Sequence, residues 1–576
     1  MNDTTKNNIN SWLNGNYAEE DKAIIRQLEQ TNPTELEDAF YRDLEFGTGG
    51  LRGIMGVGTN RMNKYTVAIA TQGLCNYVKK IEGNHSMPKA AIAYDSRNNS
   101  RFFAEVTANV LTANGIETFL FDDIRPTPEL SFAVRHLKCT CGIVITASHN
   151  PKEYNGYKVY WSDGAQLVPP HDENVIAENR LIKSIDAVKM NGNNALLHII
   201  GKEIDELYIK QLKTLSLHPE CIEQQKDLSI VYSPLHGTGR NLVPMCLKAF
   251  GFQNVTSVPE QAIADGNFPT VISPNPENAE ALSMAISLAE NANAELVLAT
   301  DPDSDRVGIA VRNHQNEFIL LNGNATASLI ISYLCQEWKN KEKLNGKEFI
   351  VKTIVTTELL AEIAKRYNIK CYDVLTGFKY IAEQIRLLEG KEQFIGGGEE
   401  SYGYLIGDFV RDKDAVISCS IIAEIAAWAK CQGKTLYDLL CDIYLQYGYY
   451  KESLLSITKQ GFNGLEEIKN MMQQFRQNPP QKINNQEVVV IKDYQKSLTY
   501  NLKNGTTETI NLPKSNVLQF FLANGSKITV RPSGTEPKIK FYFGVKSAIH
   551  SKNEIDTLDK LCSETIEQMK KDLGLC

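Results

Sequence analysis

Residues 142–160 read GIVITASHNPKEYNGYKVY and place a single serine, Ser148, between two apolar runs that are typical of β-strands. A histidine, two asparagines and two lysines follow within ten residues. Asn150-Pro151 predicts a turn directly after the serine, so the hydroxyl is presented where a strand ends. Thr146 and Asn150 stand where the nucleophile elbow of an acyl hydrolase needs glycines, which excludes that motif. The stretch predicts either an ordinary connection between strands or a nucleophile on a loop.

The order strand, polar loop, helix, strand occurs three times along the chain. The copies begin with AIAY at Ala91, IVYS at Ile230 and FIVKTIV at Phe349. In each copy another apolar strand follows and ends in a distinctive loop, TASHNP, DPDSDR or GGGEES. These patterns are βαβ units, so we expect three similar α/β domains with mixed, largely parallel sheets. Because ligands bind at the carboxyl ends of strands in such sheets, we expect the three loops to face one central cleft.

The pattern changes after about residue 447. KQGFNGLEEIKNMMQQF predicts an amphipathic helix, ITVRPSGTEPKIKFYFGV predicts strand, loop and strand, and the C-terminal residues predict a further helix. We therefore expect a smaller C-terminal α+β domain, whose distinctive loop is RPSGTEPK. The predicted domains, with the serine, acidic, GGGEES and RPSGTEPK loops in turn, are residues 1–205, 206–322, 323–447 and 448–576.

The composition is that of a multidomain globular protein. The chain has 576 residues, of which 42% are hydrophobic and 23% charged, enough to form several cores. Its net charge of -8 leaves no basic excess for nucleic acid or an anionic membrane, so neither is an expected partner. The longest apolar tract, near Ala415 to Ala429, contains Glu424 and falls short of the ~20 residues of a membrane span. Twelve cysteines without C-x-x-C pairs favour reduced thiols and a cytoplasmic location.

The DPDSDR loop carries alternating carboxylates at Asp301, Asp303 and Asp305, which we call the acidic triad. They converge on one cation only if the segment is a tight loop, because alternate residues of a strand share a face but stand apart. Oxygen ligands without nitrogen or sulfur suit Mg²⁺. Arginines stand where an EF-hand needs glycine and glutamate, so that motif is excluded. An acidic surface turn is the remaining alternative.

Three other loops have polar groups suited to a phosphorylated sugar. GGGEESYG offers Glu399, Glu400 and Ser401, which could bind sugar hydroxyls. RPSGTEPK combines the guanidinium of Arg531 with hydroxyls and a glycine, which is the chemistry of a phosphate cradle. GTGGLRG offers Thr48 and Arg52 in the same manner. Each loop alone is also compatible with an ordinary polar turn.

Taken together in this order, TASHNP, DPDSDR, GEES and RPSGTEPK resemble the loops of the α-D-phosphohexomutase superfamily, which includes phosphoglucomutases and phosphomannomutases. EFGTGGLRG, PTPELSFAV, SPLHGTG, LTGFKYIAE and ESYGYLIGDFVRDKDA extend the resemblance over essentially the whole chain, and it is closest to the long bacterial members. It implies a four-domain monomer, with a dimer left open, that carries a phosphorylated serine and Mg²⁺. The implied reaction interconverts two monophosphates of one sugar. It passes through glucose 1,6-bisphosphate, which serves as intermediate and activator.

The resemblance also implies roles for individual residues. Ser148 carries the phosphoryl group and, through its phosphate, holds Mg²⁺ with the acidic triad. Catalysis is implied for Ser148, His149, Lys158 and Lys413, with Lys158 in the position of a general acid/base. Substrate binding is implied for Thr48, Arg52, Arg306, Thr376, Gly377, Glu399, Ser401, Arg531, Ser533, Gly534 and Thr535.

The identity of the sugar stays open at this point. Thr376 and Gly377 match a loop that discriminates between sugars, but the next residue, Phe378, is at a position that varies among subgroups. Glucose is the leading expectation, with mannose or pentose phosphates as alternatives. A catalytically silent sugar-phosphate sensor and a net phosphatase are the alternatives from other functional classes.

Overall fold

The computed structural model describes residues 1–47, 50–83, 87–459, 464–533 and 538–575. These residues form two compact units. The first unit comprises Met1–Gly323, Ala382–Gly396 and Ser401–Gly433. The second unit comprises Asn324–Ile381, Gly397–Glu400 and Lys434–Cys576.

The first sheet is six-stranded, with the order β1-β5-β4-β2-β3-β6. Its central strands β2 and β4 are parallel and almost wholly buried, as expected for apolar runs such as AAIAY and CGIVI. Strand β5 is antiparallel to β4 and to β1. The strands are β1 (Gly50–Ile54), β2 (Lys89–Tyr94), β3 (Glu117–Phe121), β4 (Cys141–Ile145), β5 (Tyr154–Trp161) and β6 (Leu197–Ile200).

The second sheet has the order β11-β10-β9-β7-β8, in which β7 is parallel to β8 and β9. Its strands are β7 (Ile230–Ser233), β8 (Val255–Ser257), β9 (Leu296–Thr300), β10 (Val307–Arg312) and β11 (Phe318–Leu321). The third sheet has the order β13-β12-β14-β15, with β12 parallel to β13. Its strands are β12 (Glu348–Thr353), β13 (Lys370–Val374), β14 (Gln393–Gly398) and β15 (Tyr404–Ile406).

The C-terminal sheet is antiparallel and has the order β16-β23-β22-β21-β18-β19-β20, with β17 paired to β18. The predicted fold class, three α/β sheets and a C-terminal α+β domain, is thus confirmed. The four domain boundaries stay predictions. The strands are β16 (Tyr449–Thr458), β17 (Lys482–Ile483), β18 (Gln486–Asp493), β19 (Leu498–Asn501), β20 (Thr507–Thr509), β21 (Leu518–Leu522), β22 (Lys527–Pro532) and β23 (Lys538–Ser547).

Helices flank the sheets. Near the N-terminus, Trp12 of the first helix stacks on Tyr17, in the link to the second helix, and meets Phe40 of the third helix edge-on. In chain order the helices are α1 (Asp3–Asn14), α2 (Glu19–Thr31), α3 (Pro33–Phe40), α4 (Lys64–Glu82), α5 (Ser100–Ala113), α6 (Thr127–His136), α7 (His171–Leu181), α8 (Lys202–Lys213), α9 (Pro219–Gln224), α10 (Gly239–Phe250), α11 (Ala279–Asn291), α12 (Gly323–Asn340), α13 (Leu359–Arg366), α14 (Phe378–Leu388), α15 (Ala415–Cys431), α16 (Leu436–Tyr447), α17 (Gly464–Gln477) and α18 (Ile555–Asp572).

Among the described residues, no single helix is long and apolar enough to cross a membrane. Helices α15 and α16 reach the required length and hydropathy only as a pair with a break between them. Nearly all residues of α15 are buried within the protein, including Glu424.

Candidate active site

Ser148 lies in residues 146–154, which run from the end of β4 to the first residue of β5 and which we call the serine loop. Its backbone is left-handed, with φ of 53°, and its N–H donates to Thr146 Oγ1 at 2.8 Å. The side-chain Oγ donates to Asp301 Oδ2 at 2.7 Å and lies 3.2 Å from His149 Nδ1. The loop therefore brings the hydroxyl of Ser148 to the carboxylate that begins the DPDSDR segment.

The acidic triad occupies a tight turn between β9 and β10, the arrangement that the metal hypothesis requires. Ser304 is left-handed, with φ of 51°, and Asp301 Oδ1 accepts the N–H groups of Asp305 and Arg306 at 3.1 and 3.0 Å. One carboxylate oxygen from each member lies within 4.8 Å of the others. All three side chains are at most 2% exposed.

The residues fit a divalent cation. Asp303 Oδ1 and Asp305 Oδ1 are buried yet have no hydrogen-bond partner, which is unfavourable for carboxylate oxygens unless a cation or water binds them. The donor set consists of carboxylate oxygens alone, as Mg²⁺ prefers. The acidic triad is therefore chemically suited to hold Mg²⁺.

Two ammonium groups face the acidic triad. Lys158, on β5 beside the strand that carries the serine loop, lies 2.8 Å from Asp303 Oδ2 and 3.6 Å from Asp305 Oδ2. Lys413 Nζ lies 3.1 Å from both Asp305 Oδ2 and Asp412 Oδ1. These cations balance part of the negative charge that the buried carboxylates concentrate in one place.

Burial and charge shift the pKa values of this cluster in different directions. Burial, followed by the charges of Asp303 and Asp305, raises the pKa of Asp301 well above its usual range. Burial alone would lower the pKa of Lys158, but the two carboxylates beside it outweigh burial and raise the pKa. Burial, reinforced by Arg306 and Arg52, holds the pKa of His149 well below its usual value. Lys158 is thus protonated and His149 neutral near pH 7.

Two predicted substrate-binding arginines lie in the same unit. Arg306 forms an ion pair with Glu277, and Arg52 Nη1 donates to Asn150 Oδ1 of the serine loop at 3.3 Å. Ser401 is half-buried in the turn that follows β14. Thr48 lies outside the described residues.

The other predicted substrate-binding residues belong to the second unit. Gly377, with φ of 114°, donates its N–H to Glu399 Oε1 at 2.9 Å, and Thr376 immediately precedes it. Glu400 Oε2 accepts from the hydroxyls of Thr353 and Thr356 at 3.2 and 3.3 Å. The structure thus joins the predicted sugar-discriminating loop to the GGGEES loop through one hydrogen bond.

The RPSGTEPK loop connects β22 and β23. Arg531 lies near the end of β22, paired with Lys540, and Ser533 N–H donates to the carbonyl of Lys538 at 2.7 Å. Gly534 and Thr535 lie outside the described residues.

The structure adds a residue that the sequence analysis did not single out. Thr127, the first residue of α6, donates its hydroxyl to Asp303 Oδ2 at 3.3 Å and its N–H to the carbonyl of Asp303 at 2.9 Å. The Pro126-Thr127-Pro128 segment, which begins α6, is a sequence signal for a helix start. Nothing in that segment indicates which loop the helix end meets.

Known proteins match this chain over most of its length. Models of phosphoglucomutase/phosphomannomutase α/β/α domains I, II and III match residues 43–185, 206–315 and 322–447. The chain is 40% identical over 529 residues to the phosphoglucomutase of Staphylococcus aureus strain USA300, covering 91% of this chain and 94% of that protein. The phosphoglucomutase of strain N315 matches with the same identity and coverage.

Solved structures share the fold at lower identity. A putative phosphomannomutase from Thermus thermophilus matches with a TM-score of 0.64 and 20% identity, over 91% of this chain and 99% of that one. The open form of the Paramecium phosphoglucomutase pp63/parafusin matches with a TM-score of 0.67 and 18% identity, over 92% and 96% of the two chains.

Proposed function

Because the chain belongs to the phosphoglucomutase/phosphomannomutase family, we propose that it interconverts glucose 1-phosphate and glucose 6-phosphate. The family makes it an enzyme, an isomerase whose net reaction moves phosphate from one position of a sugar to another. The preference for glucose is supported by the 40% identity to Staphylococcus aureus phosphoglucomutases. The observation that carries the proposal is the 2.7 Å hydrogen bond from Ser148 Oγ to Asp301, the first member of the acidic triad.

In the proposed cycle Ser148 alternates between a phosphorylated and a free hydroxyl. The bond from phosphorus to Ser148 Oγ breaks as the free hydroxyl of the sugar monophosphate bonds to phosphorus, which yields glucose 1,6-bisphosphate. The bisphosphate then turns around. Ser148 Oγ takes the other phosphoryl group, so the sugar leaves as the opposite monophosphate and the enzyme is phosphorylated again.

Each transfer also moves one proton between two oxygens. His149 is neutral and lies 3.2 Å from Ser148 Oγ, so we assign it as the group that exchanges the proton of the serine. With a free hydroxyl on Ser148, Lys158 is protonated, because Asp303 and Asp305 outweigh burial and raise its pKa. When Ser148 Oγ takes a phosphoryl group, His149 accepts the proton of the serine and Lys158 gives its own proton to the sugar oxygen that is released. Both protons return in the opposite transfer. We assign Lys158 to exchange a proton with the reacting sugar oxygen and Lys413 to balance the charge of the carboxylates.

The remaining assignments complete the proposed site. The acidic triad, with an oxygen of the phosphorylated Ser148, would hold Mg²⁺, which when bound neutralises charge on the phosphoryl group. Glu399 and Ser401 bind sugar hydroxyls, and Arg531 binds the phosphate that is not being transferred. The other proposed substrate contacts are Thr48, Arg52, Arg306, Thr376, Gly377, Ser533, Gly534 and Thr535.

A coupled assay with the 1-phosphates of glucose, mannose, ribose and deoxyribose tests the function and the sugar together. We expect the highest kcat/KM with glucose 1-phosphate, phosphate on Ser148 by peptide mapping, and no turnover by Ser148→Ala. Enzyme first stripped of phosphate should stay idle until a trace of glucose 1,6-bisphosphate is added. Full activity of Ser148→Ala would refute the phosphoserine cycle, and release of inorganic phosphate in place of the isomer would identify a phosphatase.

A further inference from the structure

Arg97 follows β2 in the DSRNNS segment, and its side chain is fully buried. Strands β2 and β4 are adjacent and parallel, so the loops at their carboxyl ends meet at one edge of the first sheet. This topology puts Arg97 against the backbone of the serine loop, although more than 50 residues separate them in the chain.

One guanidinium binds four backbone carbonyls of the serine loop. Its Nη1 donates to the carbonyl oxygens of Pro151 at 2.8 Å and Tyr154 at 3.0 Å. Its Nη2 donates to the carbonyl oxygens of Ser148 at 2.5 Å and Asn150. The four Nη N–H groups of a planar guanidinium suit this arrangement, which the single ammonium nitrogen of a lysine cannot reproduce.

The guanidinium is itself held in place from other sides. Asp95 Oδ2 lies 3.3 Å from Arg97 Nε, and Asp95 Oδ1 accepts the backbone N–H of Arg97 at 2.9 Å. Ser100 Oγ donates to the same carboxylate at 2.6 Å, and the ring of Phe268 covers the guanidinium with its centroid at 5.0 Å. The orientation of Arg97 is therefore determined before any substrate binds.

We propose that Arg97 is a positioning residue for the phosphoryl transfer proposed above. It holds the serine loop so that Ser148 stays left-handed and its Oγ faces Asp301. A non-glycine residue keeps such a conformation only where its surroundings over-determine it. Four carbonyl contacts from a buried cation provide that constraint at Ser148 and at three residues that follow it. Because the side chain of Arg97 is fully buried, it acts through the loop.

The test is Arg97→Lys compared with Arg61→Lys. Arg61 is also buried and donates to the carbonyls of Asp38 and Asn60, while its ion pair is with Asp38. We expect Arg97→Lys to lower kcat by roughly ten- to hundredfold while KM changes less than about threefold, because positioning acts on the transition state. Arg61→Lys should retain wild-type kcat.

Amide hydrogen exchange of residues 146–154 gives a measurement that does not depend on activity. We expect faster exchange there in Arg97→Lys and no change in Arg61→Lys. If the wild type had no mutase activity but exchange increased as expected in Arg97→Lys, the proposed function would fail, whereas the inference that Arg97 holds the serine loop in place would stand. Wild-type kcat and wild-type exchange in Arg97→Lys would overturn the proposal.

Asp95→Asn supplies a second variant in case Arg97→Lys does not fold. It keeps Arg97 but removes the charge that faces Nε. We expect a smaller fall in kcat in the same direction and faster exchange in the serine loop. Unchanged kcat and exchange in this variant would count against the proposal as well.

Discussion

Glu400 carries a proton at pH values where an exposed glutamate has lost it, because burial, followed by the charge of Glu399, raises its pKa from 4.5 to about 7. As pH rises from 5 to 8, Glu400 loses its proton in the unfolded chain before it does so in the folded protein. The contribution of Glu400 to folding stability therefore decreases over this range. Glu400→Gln does not titrate at this position. Its free energy of unfolding should therefore rise by about 2 kcal/mol relative to that of wild type between pH 5 and pH 8. Urea unfolding at pH 5, 6.5 and 8 measures the difference, and a constant difference would contradict the prediction.

Lys158 is the nearest counter-charge of Asp303, at 2.8 Å. Removing one partner of a buried ion pair leaves an uncompensated charge, so Lys158→Met should lower the free energy of unfolding by about 3 kcal/mol in EDTA. Mg²⁺ should then raise the Tm of Lys158→Met by more than it raises the Tm of wild type, because the cation replaces the missing positive charge.

The matched control for Lys158 is Lys202→Met, which removes a lysine whose side chain is 83% exposed. Its Mg²⁺-induced shift in Tm should equal that of wild type in differential scanning fluorimetry. Equal shifts in all three proteins would argue against a metal site at the acidic triad.

Three elements of the second unit meet at a buried charge cluster. Glu358, just before α13, lies 3.1 Å from Lys352 Nζ of β12 and 2.6 Å from Lys527 Nζ of β22. Although burial opposes ionisation, the two lysines lower the pKa of Glu358 to about 2. Lys527 also donates to the carbonyls of Ile354 and Thr356. The cluster thus joins the turn after β12 to the C-terminal sheet.

Glu358→Gln should lower the free energy of unfolding by about 3 kcal/mol at pH 7, since two buried ammonium groups lose their shared carboxylate. The depressed pKa stabilises the wild type above pH 4.5, so its advantage should disappear as pH falls towards 2. Glu466→Gln is the control, because its partner Lys469 is 72% exposed and such pairs contribute less than about 1 kcal/mol. Equal stability of the two variants in chemical denaturation would refute the prediction.

At the scale of the whole molecule, the C-terminal sheet is proposed to take part in substrate binding through its RPSGTEPK loop. If Arg531 binds the phosphate that is not transferred, Arg531→Ala should lower kcat/KM by roughly ten- to hundredfold, as expected for the loss of a charge-assisted hydrogen bond. Lys503→Ala removes an exposed positive charge from the turn between β19 and β20 of the same sheet and should have no effect. Wild-type steady-state kinetics of Arg531→Ala would exclude the RPSGTEPK loop from the site.

The fold was largely predictable because its signals are local. Apolar runs such as that of β2 and periodic segments such as that of α5 were identified from consecutive residues, and their order predicted the parallel sheets. Strands β17–β20 were not predicted. Three of them, β17, β19 and β20, have four residues or fewer, and none of the four is fully buried, so their pairing depends on neighbours in the sheet.

The chemistry of the loops was also predictable from neighbouring residues: a serine before Asn-Pro, three alternating carboxylates and a glycine-rich acidic segment. The partners of these groups were not predictable, because they are distant in the chain. Ser148 meets Asp301 across 153 positions, and Lys158 meets Asp303 across 145. Likewise, only the packing of β2 beside β4 revealed that Arg97 binds the serine loop. Periodicity and turn propensity act over a few residues. These contacts exist only once the ends of separate strands come together, and so do the pKa shifts that depend on them.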